Sequence, residues 1–218
     1  MLFGISLHPI VLKIKREVAS LKQNSWFLDD GVAGGNKAGL QAVVDILLSE
    51  GPSRGLLLSL DKSRVWSQSQ LNNDDPLERG IKLETAEGLK LLGAPIGSAR
   101  FEEQTVEERI SKLEELMEKL ALLEDPHTEY VLLRNCLSLL KMSYATRTVY
   151  PAGGNKTQFK RFDDAVRRSL ERIIGASLTD EQWHQTTLQV SLGGLGLRSA
   201  VLHSPGAFLI CLRLQTDN

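Results

Sequence analysis

Trp26-Phe27-Leu28-Asp29-Asp30-Gly31-Val32-Ala33-Gly34-Gly35 decides how the first half of this chain is read. Three bulky residues, two acids and a glycine, then two small apolar residues and two more glycines, predict two short strands joined by a tight turn, with the acids at the bend. Strand alternation sends adjacent side chains to opposite sides of a ribbon, so only one of the two carboxylates readily faces a given cleft. A carboxylate fixed at such a tip suits Mg²⁺, which takes few protein carboxylates and completes its octahedron with water and substrate phosphates. An Asp-Gly hairpin turn without any ligand accounts for the same residues.

Working outward, Leu2, Ile5, Leu7, Ile10 and Leu12 predict an apolar helix over residues 1–18, kinked or broken near Pro9 and ended by a polar turn at residues 22–25. Asn36 is placed to cap a helix with Leu40, Val43, Val44, Leu47 and Leu48 on one side, ended by Gly51 and Pro52. Residues 55–60 read as a strand, residues 72–76 as a polar loop, and residues 81–83 and 89–92 as two more short strands. After about residue 104 the period changes. Val106, Ile110, Leu113, Met117 and Leu120 step by four and three, behind a capping box of Thr105 and Glu108. Amphipathic helices are predicted again over residues 130–148 (Leu133, Cys136, Leu137, Leu140, Tyr144) and 159–174 (Phe162, Val166, Leu170, Ile173), with a turn at residues 151–155 between them. Thr179 and Gln182 mark one more cap. The expected class is α+β: a short antiparallel sheet with helices over residues 1–100, an all-helical bundle over 101–175 and a helical segment over 176–218, with residues 97–104 joining the first two. The bundle core is expected to hold Ile110, Leu113, Met117, Leu133, Leu140, Val166 and Leu170.

The chain has 218 residues, 42 % of them hydrophobic and a further 18 glycine, the balance of a soluble globular protein and not of a disordered, collagenous or coiled-coil one. Cys136 and Cys211 with scattered His8, His127, His184 and His203 build neither a disulfide framework nor a zinc cage, which points to a reducing compartment. The longest apolar runs, such as 56–58 and 91–96, fall far short of the ~20 residues of a membrane span. Lys13, Lys15 and Arg16 follow the apolar start instead of preceding it, the reverse of a secretory signal. The expected location is cytoplasmic or nuclear, not secreted, with no membrane partner.

Net charge is −1, but the charges are unevenly spread. Residues 101–130 hold 3 basic and 10 acidic side chains, and residues 131–175 hold 9 and 3. A local excess of that kind attracts phosphate within a Debye length, about 8–10 Å, although a solvated helical face carries the same composition. Of the three Asp-Asp pairs, Asp163 and Asp164 lie among Lys160, Arg161, Arg167 and Arg168, where i,i+4 pairing explains them, and Asp74 and Asp75 precede Pro76 in a loop. Ser138 and Lys141 have a nucleophile-like spacing without a second motif and read as a surface pair. Gly193, Gly194 and Gly196 do not lead from a strand into a helix and exclude a dinucleotide site.

The Trp26-to-Gly31 motif resembles the one around the polymerase carboxylates of reverse transcriptases, and its neighbours resemble the same family in the same order. Leu2-Phe3-Gly4-Ile5-Ser6-Leu7-His8-Pro9-Ile10 looks like the helix after the family's Gly-Asp-Pro box, which is itself missing. Gly55-Leu56-Leu57-Leu58-Ser59-Leu60-Asp61-Lys62-Ser63 is similar to the next motif, with Ser59 and Ser63 where Asn and Cys are usual. Leu89-Lys90-Leu91-Leu92-Gly93-Ala94-Pro95-Ile96-Gly97 looks like the primer-gripping hairpin. The helical part resembles the thumb, and Leu192-Gly193-Gly194-Leu195-Gly196-Leu197-Arg198-Ser199-Ala200 a segment that comes after it in non-LTR retrotransposon polymerases. Leu28 departs from the pattern, which usually has a small residue there.

The resemblance implies a partial polymerase palm followed by a thumb-like bundle, from an RNA-directed DNA polymerase that works by two-metal nucleotidyl transfer. It implies Mg²⁺ on Asp29, Asp30 as a supporting carboxylate, and Lys62 near the triphosphate. Leu92 and Gly93 would grip the primer, while Arg134, Lys141, Arg147, Lys160, Arg161, Arg167 and Arg168 would track the backbones of RNA template and DNA primer. Deoxynucleotides would be the substrates. The fingers and the other Asp-bearing strand are expected to belong to a missing N-terminal half, without which the chain is expected to be inactive. The alternatives are a non-catalytic nucleic-acid or partner-binding helical module, and an interaction protein whose Asp29-Asp30 hairpin is only a turn.

Overall fold

The computed structural model of the chain describes residues 2–67, 80–84 and 87–216. Two compact units divide it, Met1–Ala86 and Glu87–Asn218. The chain is a mixed fold of helices and small two-stranded sheets.

In the first unit, helix α1 (Leu2–Glu17) buries Leu7, Ile10 and Ile14 at helical spacing, and Val18 just beyond its end. Pro9 lies inside α1 on the exposed side and does not end it. Strand β1 (Leu21–Phe27) comes next and pairs antiparallel with β2 (Asp30–Gly35), Phe27 opposite Asp30 and Trp26 opposite Gly31. The polar turn expected at residues 22–25 is thus strand: a two-stranded ribbon needs backbone partners, which β2 supplies, and tolerates polar side chains on its open face. Helix α2 (Lys37–Glu50) starts as expected at Asn36, whose Oδ1 accepts from the Gly39 N–H at 2.8 Å. Ile10, Ile14, Val18 and Val43 form the core between α1 and α2, with Trp26 and Ala33 of the ribbon packed against it.

Residues 55–60 do not form the expected strand. Leu56, Leu58 and Leu60 are half-buried and alternate with exposed Leu57 and Ser59, so the period-two pattern is present, but among the described residues no strand pairs with it. Strand β3 (Arg64–Val65) pairs parallel with β4 (Lys82–Leu83). Asp74 and Asp75 and the loop at residues 72–76 lie outside the described residues.

The second unit opens with the antiparallel hairpin β5 (Gly88–Leu91) and β6 (Ala94–Gly97). Helix α3 (Ala99–Leu120) begins earlier than the capping-box reading put it: the Ser98 hydroxyl accepts from the Phe101 N–H at 3.2 Å, so Thr105 and Glu108 are interior and residues 99–104 are helix, not a connector. Val106, Ile110, Leu113, Met117 and Leu120 are buried along it.

The single helix expected over residues 130–148 is broken. Helix α4 (Pro126–Leu132) widens into a π-turn at Leu133–Leu137, Ser138 is extended with ψ −150°, and two short helices complete the segment, α5 (Leu139–Met142) and α6 (Ala145–Thr148). A π-turn advances the side chains by less than an α-turn and so rotates the residues beyond it. Leu133, Leu137, Leu139, Met142 and Ala145 are buried, whereas Leu140, expected inside, is 65 % exposed. Helix α7 (Gly153–Ile174) takes in most of the expected turn, with Asn155 buried and its Nδ2 donating to the Tyr150 carbonyl at 3.2 Å. It buries Phe159, Phe162, Val166 and Leu170 against α3. Helix α8 (Asp180–Thr187) carries the expected capping box of Thr179 and Gln182, and helix α9 (Ala200–Thr216) ends the described chain with Leu202, Leu209 and Ile210 exposed.

Strand β6 contacts α3 and α6, and α9 contacts α6 and α7. Residues 87–100 and 176–218 therefore join 101–175 in one unit, and the boundary falls at Ala86, ahead of the expected residue 100. Among the described residues no helix is long and apolar enough to cross a membrane.

Candidate functional site

Two residues, Leu28 and Asp29, form the loop between β1 and β2. Leu28 holds a left-handed φ of 55° and is 71 % exposed. Asp29 comes after it at the bend and Asp30 opens β2; both are exposed, and among the described residues neither side chain has an ion-pair or hydrogen-bond partner. Behind them the ribbon is rigidly seated. The Trp26 Nε1–H donates to Asn24 Oδ1 at 2.7 Å, and the Trp26 ring occupies the space beside Gly31, where a Cβ would lie 2.4 Å from Cζ3. Lys62 is exposed in a turn, its backbone N–H donating to the Ser59 carbonyl at 3.3 Å, and no hydrogen bond or ion pair joins its side chain to either aspartate.

At the other hairpin, Leu92 and Gly93 form the loop with φ of 48° and 83°, the doubly left-handed conformation of a tight two-residue turn. The Tyr144 hydroxyl donates to the Leu92 carbonyl at 2.9 Å, and the Arg109 guanidinium lies 6.0 Å from the centre of the Tyr144 ring. Lys90 pairs with Glu108 of α3 at 3.0 Å. The tip is thus tied to the helices C-terminal to it.

No protein family, curated protein or solved structure matches the chain.

The basic residues separate into two groups. Arg161 of α7 reaches Glu114 at 2.6 Å and Glu107 at 3.2 Å on α3, Arg168 reaches Glu114 at 3.3 Å, and Arg167 reaches Asp180 at 2.7 Å and Glu171 at 3.2 Å. The Glu114 hydrogen bond, ahead of other causes, raises Arg161 above the usual guanidinium value, and Asp180 does the same for Arg167. Arg134 is half-buried, with its Nε beside Gly196. Lys141, Arg147 and Lys160 are exposed and have no carboxylate partner among the described residues. Two bases of the basic stretch, Arg161 and Arg168, are therefore paired with two acids of the acidic stretch, Glu107 and Glu114, across the α3–α7 contact. Ser138 is no surface residue: it is buried and its hydroxyl donates to the Arg134 carbonyl at 2.6 Å.

Asp163 does not stand out by spacing, and pairing with arginines does not explain it. It is buried, and its carboxylate accepts from the Ser199 hydroxyl at 2.5 Å, the Ala200 N–H at 2.7 Å and the Val201 N–H at 3.3 Å. It thereby fixes the start of α9 to α7, and burial pushes its carboxyl above the usual value despite those bonds. Only an apolar neighbourhood (Phe162, Ala165, Val166) hints at it in the sequence.

Proposed function

We propose that the chain is a portion of a retroelement RNA-directed DNA polymerase, its first unit a remnant of the palm and the helices of its second unit a thumb. The observation that supports this best is an exposed Asp29, without a partner among the described residues, at the tip of a tight hairpin, ahead of an Asn36-capped helix, within five motifs in polymerase order. In this reading Asp29 is the metal ligand, Asp30 supports it, Lys62 serves the triphosphate, and Leu92 and Gly93 position the primer end. RNA template, DNA primer and deoxynucleotides are the partners, and of the basic residues expected to track them Lys141, Arg147 and Lys160 are exposed with no carboxylate partner among the described residues.

The described residues do not fit a two-metal centre by themselves. Among them no third carboxylate, histidine or thiol joins Asp29 and Asp30. Two cations held ~3.5–4 Å apart need more negative charge than one hairpin tip provides. Catalysis therefore requires an Asp-bearing strand from outside these residues, and purified alone the chain is expected not to extend a primer on RNA. The same observation favours a second reading, a non-catalytic nucleic-acid-binding module of the same descent.

Manganese titration with paramagnetic broadening of amide signals as the readout tests the site. Broadening centred on residues 28–31 and lost in Asp29→Ala is expected. Absence of broadening there, or broadening elsewhere that Asp29→Ala leaves unchanged, overturns the polymerase reading.

A further inference from the structure

Helix α6 packs along α9, and three nitrogen bases meet at their junction: Arg147 in the last turn of α6, Arg198 just before α9, and His203 within its first turn. Arg147 and Arg198 are exposed, and among the described residues neither is paired with a carboxylate, unlike Arg161, Arg167 and Arg168. Burial first, then the charges of Arg198 and Arg147, hold half-buried His203 below its usual basicity, which places both guanidinium groups within electrostatic reach of His203. Asp163, at this end of α9, is buried with its oxygens taken by Ser199, Ala200 and Val201. Those oxygens do not pair with Arg147 or Arg198, whose charges face solvent.

An aromatic ring packs on the same helix. Tyr150, three residues beyond Arg147, is 62 % exposed and meets Phe208 of α9 edge-on, centroids 5.5 Å apart at 61°. Phe208 steadies the ring while much of its surface stays in water, the arrangement of a stacking platform. We infer that the α6–α9 junction binds single-stranded nucleic acid, Tyr150 stacking on a base while Arg147 and Arg198 hold phosphates further along the same strand. That the ligand is a nucleic acid rests on the function proposed above; the location does not. A single strand fits better than a duplex because only unpaired bases offer a face to an exposed ring.

Fluorescence anisotropy of labelled oligothymidine and oligouridine, each of about twelve nucleotides, with the full chain tests this. Both strands are expected to bind, since stacking tolerates any base. Arg147→Ala and Arg198→Ala should each weaken binding and flatten the dependence of log K on log salt by roughly 0.7, one phosphate contact on a single strand. Tyr150→Ala should cost roughly five- to hundredfold, and Tyr150→Phe little. Arg198→Glu, at an exposed position, keeps the test valid if Tyr150→Ala fails to fold. Unchanged binding by the folded variants, or tighter binding of a duplex of the same length, overturns this inference and leaves the polymerase reading standing. Failure of every nucleic acid to bind overturns both.

Discussion

The Trp26 indole fills the space above Gly31, its partner across the β1–β2 ribbon, so closely that a Cβ there would sit 2.4 Å from Cζ3. Asn24 anchors the ring through its Nε1–H, so it is not free to swing away. The Trp and Gly that flank the two aspartates therefore have a packing reason to be there, separate from any chemistry at the acids. Gly31→Ala is expected to cost about 1–3 kcal/mol as an overpacked site. Urea unfolding of the full chain, monitored by tryptophan fluorescence, measures it; a loss within about 0.5 kcal/mol, the surface value, would show that the ring yields.

Leu28 carries the opposite kind of tension. A left-handed backbone costs an L-residue with a Cβ about 1–2 kcal/mol, and its exposed side chain recovers little in contacts. Leu28→Gly is expected to stabilise the chain by about 0.5–1 kcal/mol, once the greater freedom of glycine in the unfolded state is subtracted. A raised melting temperature checks it, and a fall would show that Leu28 has partners not evident from its exposure.

The break inside residues 126–148 gives a paired test of packing. Leu113→Ala removes a buried side chain and should cost about 2–5 kcal/mol, while Leu140→Ala, on the outside after the π-turn, should stay within about 0.5 kcal/mol. A large effect at Leu140 would mean that the helix runs through without the π-turn.

Asp163 makes stability depend on pH. Its folded carboxyl titrates above the ordinary 3.8, so the folded state holds the proton more tightly than the unfolded one. Its contribution is therefore most favourable below 3.8 and declines as pH rises through the raised folded value. Glu50 and Glu171, pulled below 4.5 by the Lys13 hydrogen bond and by the Leu178 N–H respectively, slope the other way, losing stability on acidification. Asp163→Asn isolates the first effect: the stability of the native chain minus that of the variant should fall as pH rises across that window. A difference that is flat or rises would show that hydrogen bonding outweighs burial at this carboxyl. Asp163→Ala, which strands the Ala200 N–H and the Ser199 hydroxyl, should cost about 1–3 kcal/mol, most at low pH.

Local features were the legible ones in the sequence. The steps of α3 and α7 and the caps at Asn36 and Thr179 depend on residues within a turn of one another, and all are found. The hairpin with Asp29 at its bend was equally readable, because its strands are adjacent in the chain. Strand β1 was missed where its side chains are polar, since its pairing is made by the backbone. Residues 55–60 show the converse, a strand pattern without a neighbour. The π-turn changes phase without changing composition, so Leu140 kept its apparent period and lost its place. The bond from Tyr144 to Leu92 spans 52 residues and that from Ser199 to Asp163 spans 36, and no spacing rule reaches so far.

Leu202, Leu209 and Ile210 on the outside of α9 bear on how the protein behaves as a solution. With a net charge of −1 and an isoelectric point near 6.4, copies of the chain repel one another weakly at neutral pH, so exposed hydrocarbon meets little electrostatic opposition to precipitation. Solubility should pass through its minimum close to pH 6.4 and improve on the alkaline side, where ionised carboxylates outnumber the charged bases.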